Sequence, residues 1–395
     1  MPLNSYMPVP LRVAWCASVI DAVEYWAVPY SEPNDHGSTR YSVFVQLRDS
    51  SGASGWGEAV TIFEEAARST MAILDGWESL VVGLDADPTT LRDTVYGRSW
   101  WYAAGGSAAF ALAALDIAVW DLAGRLQERT VVEMLGGPAH GEGAALPIIA
   151  STHAFYEDLD RQSEFLAACV TDMAAAGVKV GWGKKGGAGL GVDAARDELF
   201  ARKLRQALPV GSLMIFDIGA RITWSPQEAV DRVVAFEPHD LYWIEEPLGA
   251  DNPDGYRLLK NATSVLIAYG EREWTANGVR RILSTGTVDV VGIDAGRAEG
   301  ITGFVDATRS IESSSKQVNA HAFAGPSSYA AGLAVSMTTA ACRQFEVAPL
   351  RNELMTQLAP SLEVPRGHVS VLPGHGLGVE IDRAAVERLA VGSSA

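Results

Sequence analysis

Apolar positions recur along this chain in two different rhythms, and the change between them falls near residue 144. Upstream, the β-rich runs VAWCASVIDAVEYWAV and YSVFVQL flank the polar stretch SEPNDHGST, which predicts an antiparallel pair with a long connection and a mobile tip. GASGWGEA then supplies a turn and a short strand end, and residues 88–126 read as helices. In the last of these, AAFALAALDIAVWDLAGRL, the residues Ala114, Ile117, Ala118, Asp121 and Leu122 lie three or four apart, so Asp121 faces inward with apolar neighbours. The N-terminal third is predicted to be α+β. From residue 145 the grammar becomes strand, helix, strand, helix. The β-like runs are LPIIAST, GVKVGW, SLMIFDIG, LYWIEEP, SVLIAYGE, VDVVGIDAG, KQVNAHAF and CRQFEVA. Eight strongly apolar strands at this period predict a parallel (β/α) barrel rather than an open sheet. The tail HVSVLPGHGLGVEID carries further strand signals and is expected to return to the N-terminal domain.

Composition narrows the function. At 395 residues, 48% hydrophobic and 20% charged, the chain has enough apolar surface for a sizeable core. Lys and Arg total 31 against 48 Asp and Glu, a formal charge of -17. A field of that sign repels phosphate backbones and anionic lipid, so neither nucleic acid nor a membrane is expected as a partner. A small anionic substrate needs a local cation or a bound metal to reverse the sign inside the site. Cys16, Cys169 and Cys342 are too few and too scattered for a disulfide framework or a thiolate metal site. The N-terminal sequence lacks a basic region followed by an apolar run, and a cytoplasmic location is expected.

Asp217, Glu245, Glu271, Asp294, His321 and Glu346 each end a proposed strand, 23 to 28 residues apart, which is about one βα unit. Parallel barrel strands all end at one face, so this spacing gathers six polar groups round one mouth. Asp217, Glu245 and Glu271 cannot sit together without a counter-charge, and an all-oxygen set favours Mg²⁺, with Mn²⁺ as a substitute, over Zn²⁺. Open coordination positions on such an ion would take a substrate carboxylate. Asp294, one strand from His321, is suited to hold the imidazole tautomer of a general base. His153, His239, His368 and His375 read as ordinary core histidines.

With these residues in place, the chain resembles the enolase superfamily, and within it the mandelate racemase subgroup of acid-sugar dehydratases. GWGEA, LDIAVWDLAGR followed by MLGG, WIEEP, YGE, and IDAGRAEGIT followed by NAHAF resemble that family's signatures in the family's order. The resemblance implies an α/β fold: an α+β capping domain (1–143), a modified TIM-type barrel (144–365), and a tail (366–395) that completes the cap. It implies Asp217, Glu245 and Glu271 as ligands of one Mg²⁺, Asp294 and His321 as an acid/base dyad, Glu346 as a partner of the substrate carboxylate, and a homo-oligomer.

Two positions depart from the family pattern. The Lys-x-Lys of the second barrel strand reads Lys179-Val180-Gly181, which removes the base on the opposite face of the substrate. Lys179 remains and is expected to stabilise charge on the substrate carboxylate. The Asp-x-Asn of the third strand reads Asp217-Ile218-Gly219. Gly181, Gly183 and Gly186 form a literal G-x-G-x-x-G, but the next strand-end acid lies too far downstream for a dinucleotide fingerprint. Lys184 or Lys185 in that loop is instead expected to reach the substrate in place of the missing base. Trp182 is a candidate substrate contact, with residues 30–41, residues 58–62, Trp100 and Trp101. The expected activity is Mg²⁺-dependent removal of water from a polyhydroxy carboxylate, giving a 2-keto-3-deoxy acid, with His321 also able to protonate the departing hydroxyl. The alternatives are a one-base epimerase or lactone cycloisomerase, a non-catalytic acid-sugar binding protein, and a dinucleotide oxidoreductase.

Overall fold

Side-chain parity along each strand decides the architecture, because alternate residues must each find a buried face. The computed structural model describes Trp15 and residues 18–183, 188–219, 221–321, 323 and 325–394. Strands β1 (Ile20–Glu32), β2 (Ser38–Asp49) and β3 (Ser54–Ile62) form an antiparallel meander. One face, with Val23, Tyr25, Val43, Val45 and Leu47, packs against helices α1 (Glu64–Val81), α2 (Pro88–Ser99) and α3 (Gly106–Leu126). The opposite face, with Trp26, Val28, Tyr30, Phe44 and Trp56, is covered by Leu354, Leu358, Ala385 and Val386.

The long connection between the first two strands is shorter than the sequence suggests, since Glu32 still pairs with Ser38. Residues 33–37 close the hairpin, with His36 and Gly37 in the left-handed region. Its tip is not the mobile loop expected from its polarity: Asn34 is fully buried and Asp35 nearly so. The polar side chains have partners in the fold: Asn34 Nδ2 donates to the Leu350 carbonyl at 2.6 Å, and Arg40 donates to Asp35 at 2.8 Å.

α3 is long and apolar enough to cross a bilayer, yet 89% of its apolar window is buried inside the protein. Its two acids are structural pins. Asp121 accepts from the backbone N–H of Trp56 (2.9 Å) and of Leu377 (2.8 Å), and Asp116 accepts from that of Thr302 (2.9 Å). The glycines of GWGEA have a steric cause, because a Cβ at Gly57 would meet the backbone of Ala114 and the Ala118 nitrogen at 2.7 Å. Gly57→Ala is therefore expected to push β3 off α3 and lower stability by about 1–3 kcal/mol, read as a thermal-melt shift. An unchanged melt would show that the two elements have room to part.

The barrel strands are β4 (Ala145–His153), β5 (Gly177–Gly181), β6 (Leu213–Asp217), β7 (Leu241–Glu245), β8 (Leu266–Tyr269), β9 (Val290–Ile293), β10 (Gln317–Ala320) and β11 (Phe345–Val347). They run parallel in the order β10-β9-β8-β7-β6-β5-β4-β11, and a bridge between Val318 and Cys342 draws the ring together. Ile149, Ile215, Trp243, Ala268 and Val290 plug its interior. Two residues beyond Ile215 and Trp243 on the same faces stand Asp217 and Glu245, one pleat above the plug. The tail serves both parts of the molecule. Its strand β12 (His368–Ser370) pairs antiparallel with β4, so HVS adds to the barrel rather than to the cap, whereas β13 (Gly392–Ser393) pairs with β1.

Candidate active site

Strand ends β6 and β7, with the turn after β8, bring one carboxylate oxygen each from Asp217, Glu245 and Glu271 within 4.8 Å of one another. Lys179, fully buried, extends its ammonium beneath them: Nζ lies 2.7 Å from Glu346, 3.0 Å from Glu245 and 3.7 Å from Asp217. This differs from the expected role, because the Lys179 charge is engaged by four acids rather than offered to a substrate carboxylate. Burial opposes its charge, yet Glu245, Glu346, Asp217 and Glu271 raise its pKa well above the ordinary lysine value. Glu346 Oε1 also accepts from Asn319, and Glu346 Oε2 has no hydrogen-bond partner among the described residues.

One ammonium does not balance this acid cluster. Burial, reinforced by Glu245, drives the Asp217 carboxyl well above the usual range, and burial pushes Glu245 up to about 7 against the pull of Lys179. Glu271 goes the other way: burial would raise it, but His321 and Lys179 outweigh that and hold it below its ordinary value. Raised acids of this kind bind protons in the folded state, so without a cation they cost stability as pH rises from about 4.5 through 7. Three hard oxygen donors with excess negative charge fit a divalent ion such as Mg²⁺. We expect Mg²⁺ to raise the melting temperature by an increment that grows between pH 5 and pH 8, measured against protein in chelator. An increment that is flat or shrinks with pH would show that the ion does not compete with protons at these carboxylates.

Across the mouth, His321 Nδ1 lies 2.8 Å from Asp294 Oδ2, and Asp294 Oδ1 accepts from the Gly296 N–H at 2.8 Å. A carboxylate accepts only, so Nδ1 carries hydrogen and Nε2 is the ring's working nitrogen. Burial would lower the His321 pKa, but the Asp294 hydrogen bond and the Glu271 charge lift it to about 9. A cation held by Glu271 would oppose that lift and favour the neutral, basic form of the imidazole.

Two further acids complete the frame: Glu246, to which the sequence assigned no role, and Glu58, expected among the substrate contacts of residues 58–62. Glu246, with a left-handed backbone, accepts from Arg272 Nε at 3.0 Å and is pushed up to about 8 by burial and by Glu271. Glu58, fully buried, accepts from the N–H groups of Gly325 (2.7 Å) and Ser328 (3.1 Å) and from the Ser42 hydroxyl (2.9 Å). It thereby fastens the capping sheet to the segment that follows His321. The run SGWGEA was the signal for Glu58: it stands one residue past Gly57, on the face of β3 turned away from α3, and a buried acid there needs donors.

Trp182, expected from the sequence to contact the substrate, packs instead behind the barrel sheet. One residue past Gly181, it has the opposite parity and lies in the layer between sheet and helices, its ring 4.8 Å from Phe216 and 6.2 Å from Trp224. Trp100 and Trp101 stand exposed on the capping domain and meet edge to face. Lys184 and Lys185 lie outside the described residues.

Comparison with known proteins agrees with this frame. Residues 20–136 match the family described as mandelate racemase / muconate lactonizing enzyme, N-terminal domain, and residues 163–385 match that described as enolase C-terminal domain-like. A D-galactonate dehydratase of Xanthomonas euvesicatoria pv. vesicatoria is 27% identical, over 89% of this chain and 92% of its own. A 3,6-anhydro-alpha-L-galactonate cycloisomerase of Streptomyces coelicolor is 26% identical, over 89% of this chain and 91% of its own. The structure of a Bradyrhizobium enolase complexed with magnesium and mandelic acid superposes with a TM-score of 0.81 at 22% identity, covering 95% of this chain and 99% of that one. The chain belongs to the enolase superfamily, in its mandelate racemase / muconate lactonizing enzyme branch, and is an enzyme of that superfamily.

Proposed function

We propose that the protein is a Mg²⁺-dependent dehydratase of an acid sugar, an aldonate or aldarate, which it converts to a 2-keto-3-deoxy acid. The observation that carries this reading is the pairing of a three-carboxylate cluster with an Asp-held imidazole at one barrel mouth, next to a strand whose second lysine is replaced by Gly181. The 27% identical D-galactonate dehydratase supports the substrate class.

Asp217, Glu245 and Glu271 would hold the ion. When bound, a divalent cation neutralises negative charge that develops on a carboxylate as its α-hydrogen leaves. His321 Nε2 takes that hydrogen as a proton, with Asp294 fixing the tautomer and stabilising the imidazolium. Lys179 holds Glu245 and Glu346 in place from below. Loss of the 3-hydroxyl as water and ketonisation of the enol complete the reaction.

The test is a screen of mono- and diacid sugars with Mg²⁺, read as semicarbazide-trapped 2-keto acid. We expect at least one substrate to yield it and chelator to abolish the yield. The 26% identical cycloisomerase favours a second reading, ring opening or closure by the same proton abstraction. Consumption of a lactone or anhydro sugar with no trapped keto acid from any aldonate or aldarate would select it.

A further inference from the structure

The barrel register sets His153, Gly181, Asp217 and Glu245 level with one another at the ends of four adjacent strands. Lys179, two residues before Gly181 and on the same face, points into the barrel at Glu245 and Asp217, so a side chain at 181 would point there too. That space is filled. A Cβ built on Gly181 would overlap the His153 imidazole, with Nε2 at 2.8 Å. The glycine that removes the family's second lysine and the histidine on the neighbouring strand are therefore a single steric arrangement: the ring of one occupies the volume the other leaves.

The ring is also oriented for chemistry. His153 Nδ1 lies 2.6 Å from the backbone oxygen of Asn34, in the buried tip of the capping hairpin. A carbonyl oxygen only accepts, so Nδ1 bears hydrogen and Nε2, on the Gly181 side, is the nitrogen that gains or loses a proton. The His153 and His321 rings both lie against Phe323, with centroids 5.3 Å and 5.7 Å from it. Each imidazole thus has its Nδ1 fixed by a different kind of acceptor. A carboxylate holds Nδ1 of His321 and a backbone carbonyl holds Nδ1 of His153, so both rings turn Nε2 away from their anchors.

We propose that His153 is the second proton-transfer group of this site, in place of the lysine absent at 181, and that it protonates the departing 3-hydroxyl. The proposal rests on the dehydratase reading. His321 Nε2 takes the C2 hydrogen as a proton, and the electron pair of that C–H bond forms the C2–C3 double bond. The C3–O bond breaks, and its oxygen leaves as water with the proton from His153 Nε2. On ketonisation C3 receives the proton held by His321 and the enol hydroxyl returns one to His153, so both rings end as they began and the substrate has lost one water.

The experiment uses the full chain with Mg²⁺ and the best acid sugar of the screen, following keto acid formation and, in D₂O, α-deuterium in recovered substrate. His153→Gln is expected to lower dehydration by about 10²–10⁴-fold while recovered substrate gains deuterium, because His321 still removes the proton. His321→Asn is expected to lose both. In the His153→Ala background, Gly181→Lys is expected to restore dehydration at least tenfold, about 1.4 kcal/mol, whereas Gly181→Lys beside an intact His153 is expected to depress it. Unchanged dehydration in His153→Gln, or equal loss of dehydration and exchange with no rescue by lysine, overturns the proposal; the former would return both proton transfers to His321. If the wild-type protein dehydrates nothing, the dehydratase reading has failed by itself. His153 is then tested by nitrogen NMR with mandelate and Mg²⁺ as the probe: a shift at its Nε2 on binding supports a group that faces the ligand, and an unmoved Nε2 overturns that placement.

Discussion

His321→Asn is expected to reduce turnover by about 10³–10⁴-fold and to abolish exchange of the α-hydrogen of bound acid sugar with D₂O, while the fold survives. Asparagine keeps an N–H to offer Asp294, so the buried carboxylate is not orphaned, but it has no nitrogen that can accept a proton. Asp294→Asn should act through the tautomer: its amide offers hydrogen to Nδ1, forces the ring proton onto Nε2, and costs a comparable factor of about 10²–10⁴. The measurement is the proton NMR time course of the α-hydrogen in D₂O, beside steady-state keto acid formation. Normal exchange in His321→Asn would transfer the base to another residue and remove the imidazole from the scheme.

Lys179→Met is expected to have the largest effect on stability. The lysine is sealed against Glu346, Glu245 and Asp217 with almost no exposure of its own. Removing one partner of a buried ion pair leaves the others uncompensated, at a cost of about 3–5 kcal/mol. Mg²⁺ restores positive charge at Asp217 and Glu245 but not at Glu346, so saturating ion should recover only part of the loss. Chemical denaturation in chelator and in excess Mg²⁺ gives both numbers. A variant as stable as the wild type in chelator would show that these carboxyls are content in their protonated forms without the ammonium.

The barrel and its acids are legible in the sequence because each strand-end residue lies about one βα unit from the next, a periodicity that survives without knowledge of packing. Asp121 was equally readable as inward-facing, although its partners, the Trp56 and Leu377 N–H groups, lie 65 and 256 residues away in the chain and no local pattern announces them. Other features were hidden for stated reasons. The strand LYS-VAL-GLY-TRP at 179–182 alternates inward and outward, and parity alone assigns Trp182 to the outer layer; its aromatic character concealed that. The hairpin tip at 33–37 is polar in composition and buried in the fold because its polar groups find partners in the segments around 154 and 350. His153 reads as an ordinary core residue until the barrel register sets it beside Gly181, a relation between neighbouring strands that is invisible along either one.

The proposed chemistry requires three carboxylates to hold a divalent ion opposite an Asp-held imidazole at one barrel mouth. Anomalous diffraction from a crystal soaked in Mn²⁺ with a non-reacting hydroxycarboxylate tests it most directly. We expect one strong peak coordinated by Asp217, Glu245 and Glu271, with the ligand's α-carbon turned towards His321 Nε2. A peak at other residues, or a filled site whose ligand presents its α-carbon away from His321, would contradict the account.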